Sequence, residues 1–455
     1  MSLVSLSSKA QMVDNEPIEE QFCNEEENYE IEEVQNQPRN LLELSDSVSI
    51  DEELLAHRKL LIEQNIPEPA PAPQNTQYDP RSDLPNSPEQ TLARLSRVSY
   101  ILSNFKNERN PQVPRPTYVQ ILKQDVINLY GYSDDVAEIL LGVFGPVEFL
   151  SFVQASEKPR PLTIRVNPLK AKRRDVAAAL LSRGVELEPI TWSPDGLTVF
   201  SSQIPLGATP EYLKGLYMIQ DAASMMPVLA LRPQANEKII DISAAPGGKT
   251  THIASLMKNT GVLIANDFNR LRIDALQANL ARMGVTNTIV VNYDGRKLPY
   301  GGMDRVLLDA PCTGLGVICK DPKAKCSRNF QDLDRQQALQ RELLWHAIDM
   351  VSNKSNSPRM IVYSTCSVTI AENEAVVDWV LQKRGDCQIV ETGLVSGNPG
   401  IGNYRGKKFF YGMEKSRRFY PHTHNVQGFY VCCIQRKPGM KPLVEKFNQV
   451  AGKDE

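Results

Sequence analysis

The amino-acid sequence predicts an α/β fold: a mostly parallel, doubly wound sheet, preceded by a small helical module and a small α/β region, behind an acidic N-terminal tail. Three observations carry this. From Gly215 onward, short runs of β-branched and aliphatic residues alternate with stretches of helical periodicity. The first of those runs ends in Ser243-Ala244-Ala245-Pro246-Gly247-Gly248-Lys249-Thr250, a small-residue turn of the kind that joins strand to helix in a Rossmann-like sheet. Residues 1–86, by contrast, are acidic, rich in Asn, Gln and Pro, and poor in aromatics.

Taken in order, residues 1–86 form the predicted disordered tail and linker. Residues 1–54 hold fifteen acidic residues against only Lys9 and Arg39, and bury too little apolar surface to offset the entropy of ordering. Leu41-Leu42 and Leu54-Leu55 suit transient or partner-bound helices, and the proline-rich Pro67–Pro73 run reads as an extended linker. An interaction tail and a solubilising tail fit this composition equally.

A helical module is predicted over 87–158. Ser87 caps and Pro88 starts its first helix, which continues through Leu92, Leu95, Val98 and Ile101; two more helices follow over 116–130 and 133–143. A small α/β region spans 159–214, with a strand in Pro161–Leu169, a helix over 173–183 and a strand at Leu197–Phe200. The main sheet occupies 215–436. Its strands are Lys238–Ile242, Gly261–Ala265, Thr288–Asn292, Arg305–Leu308, Met360–Tyr363 and, late in the chain, Phe429–Ile434. The longest connecting helix carries Leu339, Leu343, Leu344, Ala347 and Met350 on one face, and 437–455 is a charged tail.

Charge narrows the function classes. The chain has 51 Lys+Arg and 54 Asp+Glu, net −3. Because residues 1–54 carry −13, the remainder is basic by ten charges, as in a nucleic-acid binder or an ordinary basic surface. Eight scattered cysteines in a chain this long form no disulfide framework and imply a reducing compartment. Cys312, Cys319 and Cys326 lack the C-x-x-C pairing of a zinc site, and no His lies near them in sequence, so no metal is expected. No apolar run approaches ~18 residues, so no membrane span is expected. The N-terminus also lacks the basic start and apolar core of a signal peptide.

Two ligand classes compete for the glycine turn. A phosphate loop requires a first glycine at 243, which is Ser, so that reading fails at a required position. An adenosine-bearing cofactor requires acids at the ends of the next strands, and Asp267 and Asp294 stand there, one to grip ribose hydroxyls and one to accept from an adenine amino group. Each alone is more often a helix cap. Together with Asp241 they close three consecutive strands, and the cofactor that fits is S-adenosylmethionine.

Two further strands end in Asp309-Ala310-Pro311-Cys312 and Tyr363-Ser364-Thr365-Cys366. A lone cysteine is usually inert packing. Two thiols beside an acid at the ligand edge of a parallel sheet suit covalent catalysis on a pyrimidine. Cytosine C5 is a poor nucleophile until a thiolate adds at C6; a carboxyl group at the base edge, here Asp309, stabilises the adduct, and a second thiol assists release. Lys249 is placed to lower a neighbouring thiol's pKa, or is a surface cation. Thr369-Ile370-Ala371-Glu372 reads as a capping box opening the next helix.

With these motifs in hand, residues 87–436 resemble the NOL/NOP/Sun family of RNA cytosine-C5 methyltransferases. Gly207–Leu213, Met257–Gly261, Tyr293–Arg296 and Arg418–Asn425 are most similar to its eukaryotic nucleolar large-subunit rRNA group. The resemblance implies that Cys366 attacks, Cys312 serves release and Asp309 contacts the pyrimidine. It places Ala244, Ala245, Pro246, Gly247, Gly248, Lys249, Asp267, Asp294 and Asp309 about the cofactor, and the segments of Arg165–Leu169 and Gln220–Ser224 along the RNA path. It further implies large-subunit rRNA in pre-ribosomal particles as partner and the nucleolus and nucleus as location. Ser243 and Gln427 depart from the family pattern, and the long Lys/Arg-rich tails common in the nucleolar group do not occur in this sequence.

For RNA, the expected contacts are Arg165, Asn167, Lys172 and Arg173 around the basic run Lys170–Arg174, and Arg418 and His422, where cations and stackable rings mix. Each group also suits a solvated helix start or a buried aromatic with nearby charge. A tRNA methyltransferase shares every catalytic residue, and an idle RNA-binding assembly factor shares the fold.

Overall fold

The computed structural model describes residues 78–447 except 355 and 445; the predicted tail's leucine clusters, its proline run and the last residues lie outside the described residues. The helical part contains α1 (Pro88–Ser103), α2 (Arg115–Tyr130) and α3 (Asp134–Ser156). Ser87 Oγ accepts from the Gln90 N–H at 3.3 Å, so the predicted cap forms, and Ser133 Oγ caps α3 in the same way from the Val136 N–H at 3.2 Å. α3 runs well past residue 143, because its apolar periodicity resumes after a break at Gly145 (φ 67°) and Pro146. With mean hydropathy 1.8 it is, contrary to expectation, long and apolar enough to span a membrane. Its break, and the packing of Val136, Leu140, Phe149 and Val153 among α1 and α2 residues, make it a core helix. Leu315, Ile318 and Val368, from the loops after the two key cysteines, join the same core.

The small sheet has β1 (Leu162–Val166), β2 (Val185–Pro189), β3 (Gly196–Ser202) and β4 (Tyr217–Ile219) in the antiparallel order β2-β3-β1-β4, with α4 (Arg173–Leu181). β4 lies beyond residue 214, where the small region was expected to end: only three residues long, it gives no periodicity to read.

The large sheet begins with five parallel strands, β5 (Lys238–Asp241), β6 (Val262–Asn266), β7 (Thr288–Val291), β8 (Arg305–Asp309) and β9 (Met360–Thr365), in the order β7-β6-β5-β8-β9. Helix α5 (Ala222–Leu231) precedes β5, α6 (Gly248–Leu256), α7 (Arg270–Met283) and α8 (Phe330–Met350) lie between strands, and α9 (Glu374–Arg384) follows β9. Alternate residues bury on opposite faces: Ile240, Val306, Leu308 and Tyr363 pack with residues of α8 and α9, and Ile239, Leu307 and Val362 with α5 and α6. Covering on both faces is what makes these strands continuous apolar runs.

Beyond β9 the sheet turns antiparallel through β10 (Cys387–Val390), β11 (Asn398–Pro399), β14 (Arg417–Phe419) and β15 (Phe429–Arg436), while β12 (Asn403–Tyr404) and β13 (Lys407–Lys408) form a separate ladder. Strand order reverses between β5 and β8, so the glycine turn after β5 and the cysteine loop after β8 flank the crevice where such sheets bind ligands.

Candidate active site

β8 and β9 are in register, with Asp309 opposite Ser364. Two and three residues on, the loops converge: Cys312 Sγ lies 3.1 Å from Cys366 Sγ, and both are partly exposed. The hydrogen bond from Cys366, with burial and the partner's charge, pushes the Cys312 thiol well above its ordinary pKa. Either sulfur can be the donor in this contact.

Backbone contacts fix this meeting. Gly316 donates to the Cys366 carbonyl, and the Ala310 N–H to the Ser364 carbonyl. Glu372 takes part in a way its sequence position does not suggest. Helix α9 starts at Glu374 and Ile370–Asn373 form a turn, so only half of the predicted capping box forms: Thr369 Oγ1 accepts from the Glu372 N–H at 3.3 Å, while the Thr369 N–H donates to Ser367 Oγ. Thr369 Oγ1 does donate to Glu372 at 3.0 Å, but the carboxylate reaches across to Thr313, accepting from its N–H at 2.8 Å and its hydroxyl at 2.7 Å. Gln427, one of the two departures from the family pattern, is buried and donates to Cys319 Sγ at 3.2 Å.

Asp309 is held from two sides. Lys249 Nζ donates to Oδ2 at 2.6 Å and Ser364 Oγ to Oδ1 at 2.7 Å. Burial pulls the Lys249 ammonium down, but Asp309 outweighs it and the pKa ends above its ordinary value. Lys249 is thus paired with Asp309 and is not the surface cation of the alternative reading; the charge of Cys366 also acts on it. Ser364 escapes a reading of the sequence because it sits inside the cysteine motif without chemistry of its own.

Around the glycine turn, Gly247 adopts φ 105°, and a Cβ there would meet Leu276 Cδ1 at 3.1 Å. Ala244, Ala245 and Gly248 keep the turn small, and Pro246 is exposed. Asp267 is buried and accepts from the Ala245 N–H at 3.0 Å and the Asn269 N–H at 2.9 Å, tying the β6 end to the turn. Asp294 is clamped by Arg296 through both oxygens, which holds its carboxyl below the usual range. Phe268, beside Asp267, is a large ring that is 74% exposed. Small residues, a helix start, two acids and an exposed aromatic ring fit an adenosine-bearing group.

Several expected RNA contacts are corrected. Arg165 is buried, donating to Gln220 Oε1 at 2.7 Å and Thr251 Oγ1 at 2.8 Å. Asn167 is buried and donates to the carbonyls of Gly215 and Met283. Both staple the small sheet to α6 and α7 rather than face a phosphate. Arg418 is buried in a bidentate pair with Glu374 at 2.7 and 2.8 Å, and His422 meets Glu148 at 2.8 Å under the aromatic rings of Phe144 and Tyr420. Lys172 is exposed, and Arg173 is half-buried against the Ser193 carbonyl.

Residues 228–435 match the family described as 16S rRNA methyltransferase RsmB/F, and residues 136–222 match the N-terminal domain of 16S rRNA methyltransferase RsmF. The chain is 49% identical over 373 residues to the 25S rRNA (cytosine-C(5))-methyltransferase nop2 of Schizosaccharomyces pombe, covering 81% of this chain and 61% of that protein. It is 47% identical over 358 residues to the 28S rRNA (cytosine(4447)-C(5))-methyltransferase of Homo sapiens, covering 78% of this chain and 44% of that one. The chain thus spans only part of these relatives' length. A solved methyltransferase homolog protein from Pyrococcus horikoshii is similar at TM-score 0.62 and 34% identity, over 69% of this chain and 98% of that one.

Proposed function

The chain belongs to the RsmB/F family of methyltransferases, and from that premise we propose that it methylates cytosine C5 in RNA, with large-subunit rRNA in pre-ribosomal particles as substrate. The observation that carries this is the Cys312–Cys366 contact of 3.1 Å beside the Lys249–Asp309 pair.

Cys366, as its thiolate, adds to C6, and the C5=C6 electron pair shifts toward C5. Asp309, paired with the Lys249 ammonium, faces the base edge; a proton moves from this pair to N3 as the adduct forms and returns to the pair as the adduct breaks down. The turn 244–249 with Asp267, Asp294 and Phe268 would hold S-adenosylmethionine, which when bound would supply the methyl group for C5. Release then breaks the C5–H bond, its pair restores C5=C6, and the C6–S bond breaks to return Cys366 as a thiolate. The proton passes to water, and the Cys312 S–H steadies the departing sulfur. A base in a duplex must leave its stack to reach this crevice. Lys172 is the exposed cation of the expected set best placed to meet phosphate.

The names of the eukaryotic relatives support the large-subunit substrate; a role in ribosome biogenesis, and residence in the nucleolus and nucleus, follow from that substrate. Bisulfite sequencing of rRNA and tRNA from cells carrying only a Cys366→Ala allele tests it. Loss of methylation at a large-subunit cytosine is expected. Loss confined to tRNA, or no loss at all, contradicts it.

A further inference from the structure

Glu372 is fully buried, six residues after Cys366, yet it serves the loop of the other cysteine. Four donors converge on its carboxylate: the N–H and hydroxyl of Thr313, Thr369 Oγ1, and Gln340 Nε2 at 3.1 Å. None is a cation. Gln340 Nε2 also donates to the Pro311 carbonyl at 2.8 Å. The residues on either side of Cys312 are thus both fastened to the Glu372–Gln340 couple.

Cys366 is held by other means. It follows directly on strand β9, its carbonyl accepts from Gly316, and Thr365 Oγ1 donates to Asn373 Oδ1 at 2.6 Å. Removing the Glu372 charge therefore loosens one sulfur and leaves the other on its strand.

We propose that Glu372 is a positioning residue for the release step: it holds Cys312 against the Cys366 sulfur, so that its loss strands the protein as a covalent adduct with RNA. This rests on the reading of Cys366 as the attacking and Cys312 as the releasing sulfur. The buried carboxylate accepts from all four donors; an amide keeps one acceptor oxygen, forces the Thr313 and Thr369 hydroxyls to reverse, and removes the charge that strengthens the bonds to the Cys312 loop. The Cys312 loop then shifts, and a displacement of about 1 Å at a reacting group costs on the order of 100-fold.

The test uses the full chain as wild type and as Glu372→Gln, Thr313→Val, Cys312→Ala and Cys366→Ala, each incubated with large-subunit rRNA and S-adenosylmethionine. Denaturation-resistant adduct and released methylated RNA are measured side by side. Glu372→Gln is expected to raise the ratio of adduct to released product by about 10- to 100-fold. Thr313→Val, which removes one of the four donors, is expected to raise it by about two- to fivefold. A merely structural role would lower adduct and product together and leave the ratio at the wild-type value, which overturns the proposal. If Glu372→Gln does not fold, Thr313→Val decides alone: a raised ratio supports, an unchanged ratio overturns. Failure of the underlying reading shows elsewhere, as absence of adduct with Cys312→Ala.

Discussion

Gly316 donates its backbone N–H to the carbonyl of Cys366 at 2.9 Å, and this contact lets the loop after one cysteine rest directly on the other. A Cβ at Gly316 would lie 2.2 Å from the Gly428 carbonyl oxygen and 2.6 Å from that of Cys366. Both are backbone atoms and cannot swing away. Gly316→Ala is expected to cost about 1–3 kcal/mol in chemical denaturation and to reduce adduct formation. Unchanged stability would mean that the two loops are not packed this tightly.

Lys249 and Asp309 form the second relationship with a direct test. Lys249→Ala leaves the carboxylate facing the base without its cation, and kcat is expected to fall by about 10²- to 10⁴-fold. Lys249→Arg is not expected to rescue it, because a planar fork does not replace a compact ammonium. RNA affinity, measured by filter binding, should stay near wild type in both. A fall in affinity with kcat intact would make Lys249 a phosphate contact instead.

Arg418 and Lys172 should separate stability from RNA binding. Arg418→Ala breaks a buried bidentate pair and leaves Glu374 uncompensated, a loss of about 3–5 kcal/mol. Lys172→Ala should leave the unfolding midpoint unchanged, weaken RNA binding, and lower the salt slope by about one charge's worth. The reverse pattern would restore Arg418 to the RNA surface.

Asp241 gives the pH dependence. Burial raises its pKa to about 7, and one carboxyl oxygen has no partner. In the unfolded chain the group titrates near ~3.9. Between those values the folded protein binds a proton that the unfolded chain has lost. Its stabilising contribution is therefore fully present below about pH 4, falls as pH rises toward about 7, and is flat above that. Asp241→Asn should shrink the stability difference between pH 5 and pH 8 by on the order of 2–4 kcal/mol. Urea unfolding at the two pH values measures it, and an unaltered difference would mean that Asp241 stays ionised when folded.

Much of the site was legible in the sequence because parallel strands buried on both faces appear as apolar runs, and the residues just past the end of each run belong to the site. Asp267, Asp309, Cys312 and Cys366 were all found this way. Of the antiparallel edge only the strand at Phe429–Ile434 was, since strands such as Asn398–Pro399 and Arg417–Phe419 are too short to show periodicity. Glu372 looked like a local cap because its true partner, Thr313, is 59 positions away. Arg165 and Arg418 looked like RNA contacts because a cation in a sequence does not reveal whether a carboxylate or a helix start lies across from it.

The division of labour between the two sulfurs is tested most directly by denaturing electrophoresis of Cys312→Ala and Cys366→Ala after incubation with large-subunit rRNA and S-adenosylmethionine. Cys312→Ala should accumulate an RNA–protein adduct that survives denaturation, because attack proceeds and release does not. Cys366→Ala should form none. An adduct with Cys366→Ala, or none with Cys312→Ala, would contradict the assignment of attack to Cys366 and release to Cys312.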